Sequence, residues 1–249
     1  MRCSSPGIAR VPAARANLRR RMLLARPLSV AFAVTGVVAL LSFLLPPEWQ
    51  STGVGLCLVG ATYVLVLRGD AELIRRYGLG LGGMFEPVPL ELRRLCWALW
   101  SSLRWTFACA LLFFPAFWVG FVAWWNPVRG FEWPPPPGLD LVLTQILGIA
   151  VPEEMFYRGY VQTALDNAFR FRFQFLGATL GAGVLLGSVV FALGHFATHA
   201  YPARLAVFFP SLVFGWLRAR TGGVGASIFF HAACNLFSAY LTEGYYPHY

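Results

Sequence analysis

The sequence predicts an all-α, polytopic transmembrane helical bundle of about seven spans with its N-terminus in the cytoplasm. Three observations carry that expectation. Hydrophobic residues make up 57% of the 249 and charged residues only 12%, with a mean hydropathy of +0.60, well outside the usage of soluble domains. Apolar runs recur at lengths that cross the roughly 30 Å of a bilayer's hydrocarbon. Arginine is distributed very unevenly among the segments that join those runs.

In chain order, residues 1–27 hold seven arginines and no acid, a basic cytoplasmic segment. The apolar run 28–45 follows; it exceeds a usual signal-peptide core, and PPEWQST after it offers no small-residue cleavage site, so it reads as a retained first helix. A second span is expected at 49–67 and a third at 105–125. The stretch between them is too charged and too rich in Gly and Pro to cross, although its end suits an interfacial helix leading into the third span. NPVRGFEWPPPPG is a stiff external connection, and four further spans are expected at 139–165, 175–199, 203–217 and 222–241. This divides the chain into a basic segment 1–27, front spans and connecting loops over 28–138, and a core over 139–249. In the fifth span Gly177, Gly181, Gly183 and Gly187 form two GxxxG repeats, which suit close helix packing or a groove for another transmembrane helix.

The charge pattern sets the orientation. No lysine occurs, and the net charge of +9 is all arginine in excess of acids. Seventeen of the 20 arginines fall on the cytoplasmic side, among them Arg68, Arg75, Arg76, Arg93, Arg94, Arg104, Arg170, Arg172, Arg218 and Arg220. Arg129 and Arg204 fall outside, and Arg158 lies within a span. In a soluble protein such basicity points to nucleic acid; here the arginines alternate with apolar runs and report topology, so no nucleic-acid partner is expected. The five cysteines (Cys3, Cys57, Cys96, Cys109, Cys234) show no CxxC spacing and read as packing residues.

Against this background VPEEMFYRGY, residues 151–160, is anomalous. A charge at the centre of a membrane helix costs about 2.5–3.5 kcal/mol on insertion scales, so three within six residues need pairing or a function. Glu154 and Arg158 are four apart on one helical face and are expected to pair as structural support. Glu153 is turned by about 100° from Glu154, which leaves it free for chemistry. Pro152 cannot donate to the carbonyl of Gly148, so the helix should open beside Glu153 and admit water. Two later spans carry further polar groups: His195 in FALGHFATH, with His199 one turn on near the membrane edge, and His231 with Asn235 in HAACN. Taken singly, an intramembrane His or Asn also serves as glue between helices. As a set, they suit hydrolysis: Glu153 with His195 activating water, His231 and Asn235 donating to an oxyanion.

EExxxR at Glu153, Glu154 and Arg158, FxxxH at Phe191 and His195, and HxxxN at His231 and Asn235 together resemble the CPBP family, also called the Abi or CAAX-protease family, which includes the Rce1-type CAAX prenyl endopeptidases. The resemblance covers residues 139–241; residues 1–138 carry no matching motif. It implies an intramembrane endopeptidase acting on a membrane-anchored protein, with Glu153, His195, His231 and Asn235 as catalytic residues. No cofactor is then required, and the glutamic mechanism is favoured. The alternative is a divalent metal such as zinc on Glu153, His195 and His231, but there is no HExxH and Glu154 is committed to Arg158. A cysteine protease on Cys234 and His231 lacks a recognisable base and orienting group. Bacterial members include proteases that process C-terminal sorting tails, the myxosortase type, which PEEMFYRGYVQTALD resembles, and bacteriocin self-immunity proteins, which supply the alternative of a non-proteolytic peptide-binding protein. The expected location is a bacterial inner membrane. A proton-coupled transporter would call for an internal repeat, and no duplication is evident. With the seventh span running outward, His195 falls in the outer half of the membrane; labelling of a cysteine beside it from the cytoplasmic face only would contradict that. The oligomeric state is not fixed by any of these features.

Overall fold

The computed structural model describes residues 13–169 and 171–246, with the backbone alone over 13–24. Arg2, Arg10, Arg170 and Cys3 lie outside the described residues. The chain forms the all-α bundle that its composition predicts, interrupted only by one short hairpin among the described residues. In order, it runs through α1 (Ala13–Leu44), α2 (Pro47–Leu67), the short α3 (Ala71–Arg76) and α4 (Leu92–Trp125). It continues through α5, a long rod over 139–168, then strands β1 (Arg172–Phe175) and β2 (Ala178–Gly181), and closes with α6 (Ala182–Thr198), α7 (Phe208–Thr221) and α8 (Gly225–Tyr245).

Among the described residues three helices are long and apolar enough to cross a membrane: Ala25–Leu44 within α1, all of α2, and α4. Their large side chains face outward, as with Phe107, Leu111 and Val119 of α4, each about 70% exposed; an apolar surface of this extent needs lipid. The interfacial helix expected before the third span is continuous with it, which gives α4 34 residues. The stretch between α2 and α4 does not span. Asp70 caps α3 by accepting from the Leu73 amide at 2.8 Å, and Glu86 lies between Arg75 and Arg94 at 2.9 and 3.0 Å.

Two expected spans are corrected. Residues 175–181 are not helical. They belong to a two-stranded antiparallel hairpin with Phe175 opposite Ala178, turned by Leu176 and Gly177, both at positive φ (45° and 72°), the backbone of a two-residue hairpin turn. Gly177 and Gly181 are therefore turn and strand residues, and only Gly183 and Gly187 remain as a helical GxxxG pair. The sixth span is also shorter than expected: 203–207 lies within a 3-10 turn (Pro202–Val207), and the 14 residues of α7 rise only about 21 Å.

α5 is the centre of the bundle, packed by α2, α6, α7 and α8 and tied to α1 by a 3.1 Å hydrogen bond between the Tyr157 and Thr35 hydroxyls. Two π-helical stretches, Thr144–Ala150 and Met155–Gln162, flank a short α segment, Val151–Glu154. The opening expected at Pro152 thus takes the form of widened helical turns, a feature frequent at functional sites. The N-terminus of α6 presses onto the end of α5, where Asp166 accepts from the Gly183 amide at 2.7 Å. A Cβ on Gly183 would meet the backbone carbonyl oxygen of Gln162 inside van der Waals contact. Alanine is the better helix former by about 1 kcal/mol, yet Gly183→Ala is expected to destabilise by about 1–3 kcal/mol through that clash. Thermal unfolding in detergent checks the sign.

Contacts between connecting segments define two ends. At one, Arg218 donates to the Arg76 carbonyl at 3.2 Å and the Val224 amide to the Gly78 carbonyl at 3.0 Å, which brings the loop after α2, the hairpin and the α7–α8 connection together with most of the described arginines. At the other, the Glu132 amide donates to the Gly244 carbonyl at 2.9 Å and the Tyr246 hydroxyl to the Trp125 carbonyl at 3.2 Å. Arg129 and Arg204 belong to this second end.

Candidate active site

Three helices deliver the polar groups singled out in the sequence. α5 carries Glu153, Glu154 and Arg158, α6 carries His195, and α8 carries His231 and Asn235. Glu153, His195, His231 and Asn235 all line one cavity of about 990 Å³. α1 and α2 wall it as well, through Val38 and Ser42 and through Gln50, Val54 and Leu58, so the front helices enclose the site although they bear none of its motifs. His199, the C-cap of α6, lies on the cavity wall beside Thr198.

Glu153 and Glu154 diverge as their helical offset requires. Glu154 is fully buried, with Oε2 3.3 Å from the Arg158 Nε, an ion pair four residues apart. Arg158, 2% exposed, donates from Nη2 to the Ser211 hydroxyl at 2.9 Å and lies over the rings of Phe191 and Phe214 at 4.5 and 5.3 Å. Glu154 has a second partner: its Oε1 is 2.9 Å from His231 Nδ1. The other ring nitrogen, Nε2, lies 3.8 Å from Glu153 Oε2, beyond hydrogen-bond length. His231 is therefore bracketed by adjacent carboxylates, and Phe214 stacks on its ring at 4.8 Å and 14°.

Glu153 keeps some exposure to the cavity, 15% of its side chain, and its Oε2 has no hydrogen-bond partner among the described residues. His195 Nδ1 is 3.1 Å from the Phe191 carbonyl. A carbonyl can only accept, so Nδ1 carries the hydrogen, and Nε2 is the ring nitrogen left for the cavity that His195 lines. Asn235 donates from Nδ2 to Gln145 Oε1 at 2.9 Å, which sets the orientation of the amide. Among the described residues no three His, Cys, Asp or Glu side chains converge as metal ligands.

Sequence reasoning passed over Gln145, Ser211 and Phe214. For Gln145 a signal existed: Gln145, Gly148, Ile149, Pro152 and Glu153 all line the cavity at spacings of three, four, seven and eight, one face of a helix. Gly148 and Pro152 also receive the close approach of α2, where a Cβ on Gly55 would lie 3.1 Å from the Gly148 carbonyl oxygen.

An acid, two histidines and a fixed carboxamide from three helices thus share one cavity inside an apolar bundle. Residues 135–237 match the model of the family described as Type II CAAX prenyl endopeptidase Rce1-like, and this stretch holds α5 to most of α8 with every residue of the three motifs. Over that stretch the chain is similar to Rce1-like domains of the CPBP/CAAX endopeptidase family, a likeness that supports a protease. No curated protein and no solved structure matches the chain.

Proposed function

We propose that this protein is an intramembrane endopeptidase in which Glu153 activates water for attack on a peptide bond, and that it processes C-terminal tails of membrane-anchored proteins at a bacterial inner membrane. The observation that carries this reading is the convergence of Glu153, His195, His231 and Asn235 on one cavity, with Glu153 Oε2 unpartnered by any described side chain. Glu153 takes a proton from water held between it and His195 Nε2, and the hydroxide adds to the scissile carbonyl carbon. The carbonyl oxygen becomes an oxyanion, which accepts from Asn235 Nδ2 and from His231 Nε2 when the ring carries both protons. Glu154 orients that ring through Nδ1. Collapse of the tetrahedral species breaks the C–N bond, and the proton taken by Glu153 passes to the leaving amine, by way of His195.

The residues that would hold a metal are Glu153, His195 and His231. Glu154 is not free to join them, because its two oxygens already face His231 Nδ1 and Arg158 Nε. The cavity lining reaches Ser42 and Gln50 on either side of the α1–α2 connection, His199 and Arg204 in the α6–α7 connection and Glu243 near the end of α8, the end poor in arginine; with the arginine-rich end in the cytoplasm, access from the opposite face is expected. The test is incubation of the purified, reconstituted protein with a panel of membrane-embedded tails, read by mass spectrometry. A defined cut near the membrane is expected. Binding of a tail without any cut, by folded protein across the whole panel, would favour the peptide-sequestering alternative.

A further inference from the structure

A second cavity, of about 620 Å³, lies on the flank of the bundle between α4, the hairpin, α6 and α7, and shares no residue with the catalytic cavity. Its volume falls in the range of about 300–1,000 Å³ usual for small-ligand sites. One wall is an aromatic stripe: Phe173 and Phe175 alternate along β1 with Phe171 just ahead of it, all three line the cavity, and each is roughly half exposed. Trp216 Nε1 donates to the Phe175 carbonyl at 3.2 Å, so this wall is fastened to α7. Trp105 of α4 stands edge-on to Trp216, with ring centroids 5.4 Å apart. Among the described residues no charged side chain lines the cavity.

The charge is at its edge. The guanidinium groups of Arg220 and Arg104 lie 4.9 and 5.8 Å from the centre of the Trp105 ring. Arg220 also crosses the hairpin turn, where a Cβ on Gly177 would come within 3.0 Å of its Nε. Arg75, Arg94 and Arg158 each have a carboxylate within 3.3 Å; Arg104 and Arg220 have none among the described residues. Neighbouring Arg172 is committed to the backbone, donating to the carbonyls of Phe169 and Phe171 at 2.7 Å. Two exposed guanidiniums beside one indole, at the lip of a long apolar groove on the arginine-rich end of the bundle, complement an amphiphile with an anionic head and a hydrocarbon tail. Guanidinium recognises phosphate through paired N–H donors, and basic pockets between membrane helices hold anionic lipid headgroups.

We propose that this flank binds one anionic glycerophospholipid of the adjacent leaflet, with an acyl chain between α4 and the hairpin and the phosphate at Arg104 and Arg220. A free phosphate leaves the aromatic wall uncovered, and an apolar peptide leaves the two cations unpaired. The site is independent of peptide-bond chemistry, so Glu153→Gln protein is expected to bind lipid as the wild type does.

The experiment is native mass spectrometry of the full-length protein in detergent, titrated with phosphatidylglycerol or with phosphatidylcholine of the same chains. One tightly retained phosphatidylglycerol is expected, with phosphatidylcholine at least tenfold weaker. Replacing Arg104 and Arg220 together with glutamine should weaken retention of phosphatidylglycerol by on the order of thirty-fold, from the attraction of two arginines. Ala108→Trp, which places an indole in the groove with both arginines kept, should also release the lipid; helical circular dichroism confirms that each variant is folded. Equal retention of the two lipids, undiminished retention by the double variant, or displacement of phosphatidylglycerol by inorganic phosphate or by an uncharged isoprenoid alcohol would overturn the proposal.

Discussion

Glu153→Gln is expected to lower peptide-bond cleavage by at least about 10³-fold while leaving the fold and thermal midpoint close to those of the wild type. Positioned acid–base groups are worth about 10²–10⁴-fold, and a glutamine of nearly the same shape cannot take the proton. The structural cost is small because Glu153 makes little of the packing: its side chain lines the cavity, and its Oε2 lies 3.8 Å from His231 Nε2, beyond hydrogen-bond length. Glu153→Asp separates catalysis from mere binding. Retracting the carboxylate by one methylene misplaces it by about 1 Å, a displacement that can cost about 10²-fold in an oriented reaction, whereas a protein that only sequesters a peptide would tolerate the change. Cleavage by Glu153→Gln within tenfold of wild type would remove Glu153 from the role of base.

The second large effect belongs to Glu154. Glu154→Leu leaves the Arg158 guanidinium buried without its carboxylate and His231 without its Nδ1 partner, and breaking a buried pair from one side costs about 3–5 kcal/mol. Thermal unfolding in detergent should show that loss. The double change Glu154→Leu with Arg158→Leu is expected to recover much of the stability, since two apolar side chains replace a buried ion pair at little net cost. It should not recover activity, because the His231 ring is still unanchored. Restored cleavage in the double variant would confine Glu154 to pairing with Arg158.

The difference between those two variants marks where sequence reasoning runs out. The four-residue step from Glu154 to Arg158 is a local helical relation, readable from spacing, and the two side chains are 3.3 Å apart. The bond from Glu154 to His231 joins residues 77 apart and depends on how α8 meets α5, which no periodicity encodes. The hairpin is an intermediate case. Glycines four apart suggested helix packing, but RFQF also alternates with period two, and the adjacent Leu176–Gly177 turn supplied a competing signal. Long, strongly apolar helices such as α4 were plain from hydropathy; α7, at 14 residues, was not, because the stretch ahead of it, PARLAV, forms a 3-10 turn in place of a continuing α-helix. The contribution of Val38, Ser42 and Gln50 to the cavity wall is invisible in motifs confined to the second half of the chain.

The most direct measurement is single-turnover cleavage of a reconstituted tail substrate by wild-type protein before and after exhaustive chelation, with products read by mass spectrometry. An unchanged rate and an unchanged cut site are expected if Glu153 activates water without a metal. Loss of cleavage on chelation, restored by zinc, would contradict the glutamic mechanism and turn Glu153, His195 and His231 into ligands.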